Sequence, residues 1–222
     1  RVLFRSRWEY VDRNFGDAHG IWTCYPDGTG HAIFWGNNTD LPGGVYTARQ
    51  IPGTDKVVCI FGPHHDHMWG SIAVLDRRLG VDGPYGVVQT WPKGALEYMR
   101  TVQRHKGCDD MLGTTLYYAD PFPLSEKYFL CSRMTGEGDR MGLYLVDVFG
   151  NEIFLHVEGP GCYDPMPVRP RVRPPVIPSR RDYTSATGTF YVQNVYEGTH
   201  MQGVQPGSVK SLRVVEDAPK RT

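Results

Sequence analysis

The 222-residue sequence carries no excess of either charge, since 24 lysines and arginines offset 24 aspartates and glutamates. Bulk charge therefore gives it no pull toward nucleic acid or an acidic membrane. No apolar run approaches the roughly 20 residues of a helical membrane span. No two of the five cysteines (Cys24, Cys59, Cys108, Cys131, Cys162) lie close in sequence, and Cys-x-x-Cys-His is absent. The chain itself thus carries no covalently attached c-type haem. Gly-x-Ser-x-Gly is also missing, which removes the usual nucleophile elbow. Gly136-Glu137-Gly138 follows a strand and opens no helix, so it is a weak phosphate cradle. No signal peptide is visible in the sequence, but it opens on Arg1-Val2-Leu3, which reads as already inside a strand, so a missing signal says little. The expectation is an excised or processed piece whose parent continues on one or both sides.

Glycine (26) and proline (17) are plentiful, as many short strands joined by turns require. The clearest stretch is Lys127–Gly159, which reads as three antiparallel strands, Tyr128–Arg133, Gly142–Val148 and Glu152–Val157, with a Phe149-Gly150-Asn151 turn. The pattern recurs. Val2–Arg7, a polar loop and Gly20–Tyr25 match it, followed by Ala32–Trp35. Lys56–Phe61 with Gly70–Asp76 is a third copy, and Thr189–Tyr196 with Ser208–Val215 a fourth. First strands start near 2, 56, 127 and 189, at spacings of 54, 71 and 62 residues; repeated small antiparallel sheets on this scale predict an all-β fold of the β-propeller kind. The ring is expected to be partial, with about three to four blades in residues 1–222. An ordinary β-sandwich is the alternative.

In propeller terms these are B and C strands. Innermost A strands are expected at Val45–Ile51, Tyr117–Pro121 and Cys162–Pro167, and outermost D strands at Ala32–Trp35, Val87–Trp91 and Glu152–Val157. Two segments depart from the repeat. Leu96, Met99, Val102 and Gln103 stand at helical spacing, predicting a short helix within Pro92–His105 whose polar tail extends the insertion, 92–113, to about Gly113. Pro165–Arg181, with six prolines and five arginines, predicts an extended strap, either pinned over the surface or docking an acidic neighbour.

The B–C loops of a propeller emerge on one face around its axis. Here they are Trp8–His19, Gly62–Trp69, Met134–Met141 and Glu197–Pro206, and they hold five of the eight histidines. Imidazoles and carboxylates converging on one funnel suit a divalent metal or acid–base chemistry. In an extended loop alternate residues share a side, so His65 and His67 are the expected ligand pair, with His19 or His200 as further ligands. Loop packing of these histidines on Trp69 is the plainer alternative. The aromatics mostly read as blade packing, but Trp8, Tyr10 and Trp69 sit in or beside the funnel loops and are candidates for stacking a sugar or planar ligand. Arg133, with Arg7 or Arg140, is the candidate partner for a ligand carboxylate. No catalytic residue is assigned. Cys24, Cys59 and Cys131 fall in strands and read as buried apolar groups, leaving a disulfide through Cys108 or Cys162 open.

The phrases RWEYVDRNFGDAHGIW, PDGTGHAIFWGNN, SEKYFLCSRMTGEGDRMGLYLVD, GNEIFLHVEGPGCYDPMP and YEGTHMQGV resemble the middle propeller domain of hydrazine synthase alpha-subunit-like proteins. The resemblance implies a propeller, an exported (periplasmic) location, and flanking domains or subunits as partners, with c-type haems outside this chain. It supplies no catalytic residue for any position here, and a shared fold does not carry hydrazine chemistry with it. Three readings follow: a non-catalytic scaffold within a larger exported protein; a metal-dependent, lyase-like enzyme using the histidine funnel; or a glycan- or peptide-binding module.

Overall fold

The computed structural model describes residues 20–25, 32–36, 39–102, 107–170, 184–190, 192, 194–196 and 200–215. The chain divides into two compact units, Arg1–Ser179 and Arg180–Thr222. Val2–Arg7, Trp8, Tyr10 and His19 of the expected first repeat lie outside the described residues.

The first unit is built from antiparallel strands. A hairpin pairs β1 (Ile21–Thr23) with β2 (Ala32–Trp35). One four-stranded sheet runs β3 (Gly44–Gln50), β4 (Val57–Gly62), β5 (Ser71–Leu75), β6 (Val87–Trp91), each strand beside the next in sequence. A second sheet repeats that order with β7 (Tyr118–Pro123), β8 (Tyr128–Gly136), β9 (Gly138–Asp147) and β10 (Glu152–His156). Between the sheets come helix α1 (Gly94–Thr101) and a 3-10 turn at Gly107–Asp109.

Strands β4 and β5 have no polar face, and every residue in both is buried. Alternation of side chains along a strand divides them between two cores. Val57, Cys59, Phe61, Ala73 and Leu75 pack with Ile21, Phe34 and Trp35 of the hairpin and with Ala95 and Leu96 of α1. Trp35 stacks on Phe61 with ring centroids 5.2 Å apart. Val58, Ile60, Ile72 and Val74 face the opposite way, onto Phe129, Cys131 and Val146 of the second sheet. The first sheet is thus the middle of three layers.

Polar bonds fix how the sheets meet. Gly70 and Tyr118 exchange main-chain bonds of 2.9 and 2.7 Å, tying β7 to the start of β5. The Trp91 indole N–H donates to the Asp147 carbonyl at 2.9 Å. α1 has no side-chain cap on Lys93. Instead the Thr90 hydroxyl accepts from the Leu96 N–H at 3.1 Å, supplying one of the donors that a helix start leaves unmet.

The same residue type ends the third strand of each sheet. Asp147 accepts at Oδ1 from the N–H groups of Phe149 and Asn151, both at 2.9 Å, and at Oδ2 from the Asn151 side chain at 2.8 Å. These bonds close the β9–β10 turn and hold the Asp147 carboxyl below the usual carboxylate range, Asn151 contributing most. Asp76 follows β5 in the same way. It takes Arg78 Nε and Nη2 at 2.8 and 2.6 Å and the Arg78 N–H at 3.1 Å. Its pKa is lowered to about 2, chiefly by the hydrogen bonds from Arg78.

The chain departs from the expected loops, strands and disulfide at several points. The Met134–Met141 loop is mostly ladder: β8 and β9 continue until a tight turn at Gly136 (φ 94°) and Gly138 (φ 58°). The cause is burial, because Met134 and Met141 face inward. Cys162–Pro167 forms no strand. The Cys162 N–H bonds the Met141 carbonyl at 2.9 Å, Asp164 turns away at φ 51°, and its carboxylate pairs with Arg49 at 2.9 Å. Of the strap, residues 165–170 carry no regular structure, and the rest lies outside the described residues. All five cysteines are free, Cys108 being half-buried and the other four buried, so the disulfide through Cys108 or Cys162 is not formed.

In the second unit the described residues form turns and no strand: the strand expected over Ser208–Val215 is not formed, and the one expected from 189 lies partly outside the described residues. Phe190, Leu212, Val214 and Val215 are exposed. Without a partner ladder, alternating apolar residues have nothing to hold them as a strand.

Two outcomes follow. Phe129→Ala empties a fully buried site between the sheets and lowers stability by roughly 3–5 kcal/mol in urea unfolding, whereas Phe149→Ala at the exposed turn changes it by no more than about 0.5. The Asp76 carboxylate has a depressed folded pKa, so its contribution is complete above the unfolded value near 4 and fades as pH falls toward about 2. Asp76→Asn therefore loses less stability than the wild type between about pH 4 and 2, measured as urea midpoints across that range.

Candidate functional site

The His-rich loop lies between β4 and β5, and its backbone is held from outside. The His64 N–H donates to the Cys108 carbonyl at 2.8 Å, and the His65 N–H donates to Asp109 Oδ1 at 2.8 Å. The 3-10 turn can come this close because Gly43 has no side chain. A Cβ there would stand 1.7 Å from the Cys108 carbonyl oxygen and 3.0 Å from the His64 nitrogen.

The His65 ring turns onto the same carboxylate, its Nδ1 standing 3.1 and 3.0 Å from the two Asp109 oxygens. The Asp109 carboxyl is held below its ordinary range, first by the His65 main-chain N–H and then by the ring. Both side chains are about half exposed or more (66% and 49%). As a plain ion pair this contact is screened by water and contributes little. Cys108 adds a third donor type: the ligand atoms of His65, Cys108 and Asp109 lie within 4.8 Å of one another.

His67 does not join this group. Asp66 adopts φ 139° and accepts the His67 N–H on its own carboxylate at 2.7 Å. That turn breaks the extended alternation on which a His65–His67 pair depends. The His67 ring packs edge-on against Trp69, centroids 4.7 Å apart, which is the packing alternative for this loop. Trp69 is itself core. It is 8% exposed, packs with Ala119, Met134 and Met141, and lies 5.2 Å from the Tyr117 ring. It presents no open platform for a ligand.

Arg133 also has internal partners. Its Nε lies 2.8 Å from Glu152 Oε2, and its guanidinium sits 4.9 Å from the Tyr144 ring centre and 5.7 Å from that of Tyr118. The Tyr118 hydroxyl donates to the other Glu152 oxygen. Burial, then that carboxylate, pushes the Tyr118 phenol well above its ordinary range. The arginine charge is thus balanced within the sheet. His200 is exposed in the second unit.

Sequence reasoning missed two partners of His65. Asp109 is 44 residues away, in what reads as the polar tail of an inserted helix, and no spacing rule connects the two. It also missed a second group, His156, Glu158 and Cys162, in which His156 stands 3.7 Å from Glu158. These are the groups among the described residues whose donor atoms converge. Comparison with protein-family models, with curated proteins and with solved structures finds no match.

If Asp109 fixes the loop, Asp109→Ala exposes the His65 amide. Hydrogen exchange at that amide rises roughly 2- to 10-fold, the range expected for losing one hydrogen bond, while the amides of β4 stay protected.

Proposed function

We propose that the chain is a β-propeller segment acting as a non-catalytic scaffold in a larger exported protein of the hydrazine synthase alpha-subunit-like kind. The observation that carries this is the repeated meander: two sheets of identical strand order, stacked face to face over one core. Blades of a propeller pack on both faces in this manner.

The outer face of the second sheet supports the same reading. Leu130, Leu145 and Ile153 are cross-strand neighbours, so they share a face. They lie on the side opposite Phe129 and Val146. Leu130 and Leu145 are half-buried and Ile153 is 53% exposed. An apolar face only partly covered suits a further blade from the parent protein. The family likeness adds the exported location and the haem-bearing neighbours. Neutral net charge fits protein rather than nucleic-acid partners. The chain offers no helix long and apolar enough to cross a membrane among the described residues.

The test compares this chain with a version lengthened by the residues its gene encodes on either side. Leu145→Lys changes the stability of the chain alone by less than about 1 kcal/mol, and destabilises the lengthened protein by several, because there the charge is buried. Equal effects in both would count against a covering blade.

A further inference from the structure

We propose that His65, Cys108 and Asp109 together bind one divalent transition-metal ion, zinc by preference. This goes beyond the scaffold reading and does not depend on it.

The donor set is the first argument. One imidazole nitrogen, one thiolate sulfur and one carboxylate oxygen suit a borderline-soft ion such as zinc, whereas calcium and magnesium select all-oxygen shells. Spacing is the second. With zinc bonds of about 2.0–2.3 Å, two ligands of a tetrahedral ion stand roughly 3.3–3.7 Å apart. His65 Nδ1 is already 3.0 Å from Asp109 Oδ2, and all three donors fall within 4.8 Å. An ion entering between them takes the place of a hydrogen on Nδ1, the neutral imidazole keeping its proton at Nε2, and the Cys108 thiol gives up its proton to solvent on ligation; the movement needed is a few tenths of an ångström to about an ångström.

Preorganisation is the third. The two loops are joined by main-chain bonds that need no metal, His64 N–H to the Cys108 carbonyl and His65 N–H to Asp109 Oδ1. The second of these holds the carboxylate against the ring, whose Nδ1 stands 3.1 and 3.0 Å from its two oxygens, so that a main-chain hydrogen bond orients the ligand. The His64 ring, edge-on to His65 at 4.3 Å, restricts its rotation. Cys108 differs from the other four thiols, all of which are buried. Three protein ligands leave the fourth position of a tetrahedral ion to water or a small anion, and the exposure of His65 and Asp109 keeps that position open.

The experiment uses the full chain, purified without a histidine tag, stripped with chelator and titrated with Co²⁺ and Zn²⁺. The wild type is expected to bind one ion per chain, with a thiolate-to-cobalt charge-transfer band and the intense visible bands of tetrahedral cobalt. Cys108→Ser abolishes the charge-transfer band. His65→Ala and Asp109→Asn each weaken zinc binding more than about 100-fold, beyond the effect of losing a supporting residue. His67→Ala and Cys162→Ser bind as the wild type does. Zinc raises the Tm of the wild type and not of Cys108→Ser. Absence of the charge-transfer band in the wild type overturns the proposal outright, whatever the variants do. Binding that survives Cys108→Ser, or that is lost with His67→Ala or Cys162→Ser while those variants stay folded, overturns it in favour of another ligand set.

Discussion

The structure depends on a sheet buried on both faces. All residues of β4 and β5 are inside, so neither strand can be left uncovered on either side. A hairpin with α1 covers one face, and the second sheet covers the other. Their backbone groups find partners along the ladder, and the ladder in turn fixes the direction in which each loop leaves. Losing either covering layer would expose a row of apolar side chains. The middle sheet is therefore the part that cannot be rearranged, and the sites available to chemistry are at its ends.

One such end is organised by Trp69. It packs with Ala119, Met134 and Met141, so it joins the β4–β5 loop to the start of β7 and to the β8–β9 turn. The geometry of His65 follows from this. Trp69 anchors one side of the loop and takes His67 as a packing partner, while His65 bonds Asp109 of the 3-10 turn through both its N–H and its ring. Packing and ligation are thus divided between neighbouring histidines, a division a linear pattern does not reveal.

Strand identity was legible because it is written in short-range chemistry. The expected Ala32–Trp35 and Val87–Trp91 are the observed β2 and β6. The Asp76 and Asp147 turns recur after strands of similar pattern, GSIAVLD and GLYLVD. The second unit shows the limit of the same reading. Ser208–Val215 has strand-like alternation, but in the described residues no ladder takes it up. Alternation records a side chain's need for burial and says nothing of whether a partner is in reach. The candidate site had the same weakness. His65 was legible as a ligand from its residue type. Asp109 and Cys108 were not, because their approach depends on a close contact at Gly43 that joins distant parts of the chain.

The scaffold and metal proposals concern different surfaces. A stacked sheet offers its faces to other sheets and its loop ends to ligands. The Leu130–Leu145–Ile153 row lies on a face, where apolar area without polar donors can exclude water but cannot orient a small ligand. His65, Cys108 and Asp109 lie at an end, where donors are dense and apolar area is scarce. Trp69 of the His-rich loop packs on Met134 and Met141, which by strand alternation share the face of Leu130 and Leu145, so a neighbouring blade over that face would meet the packed side of the loop, whereas His65 turns onto Asp109 instead. An ion at the end would in turn add a cross-link between two loops the fold has already joined, without altering how the sheets stack.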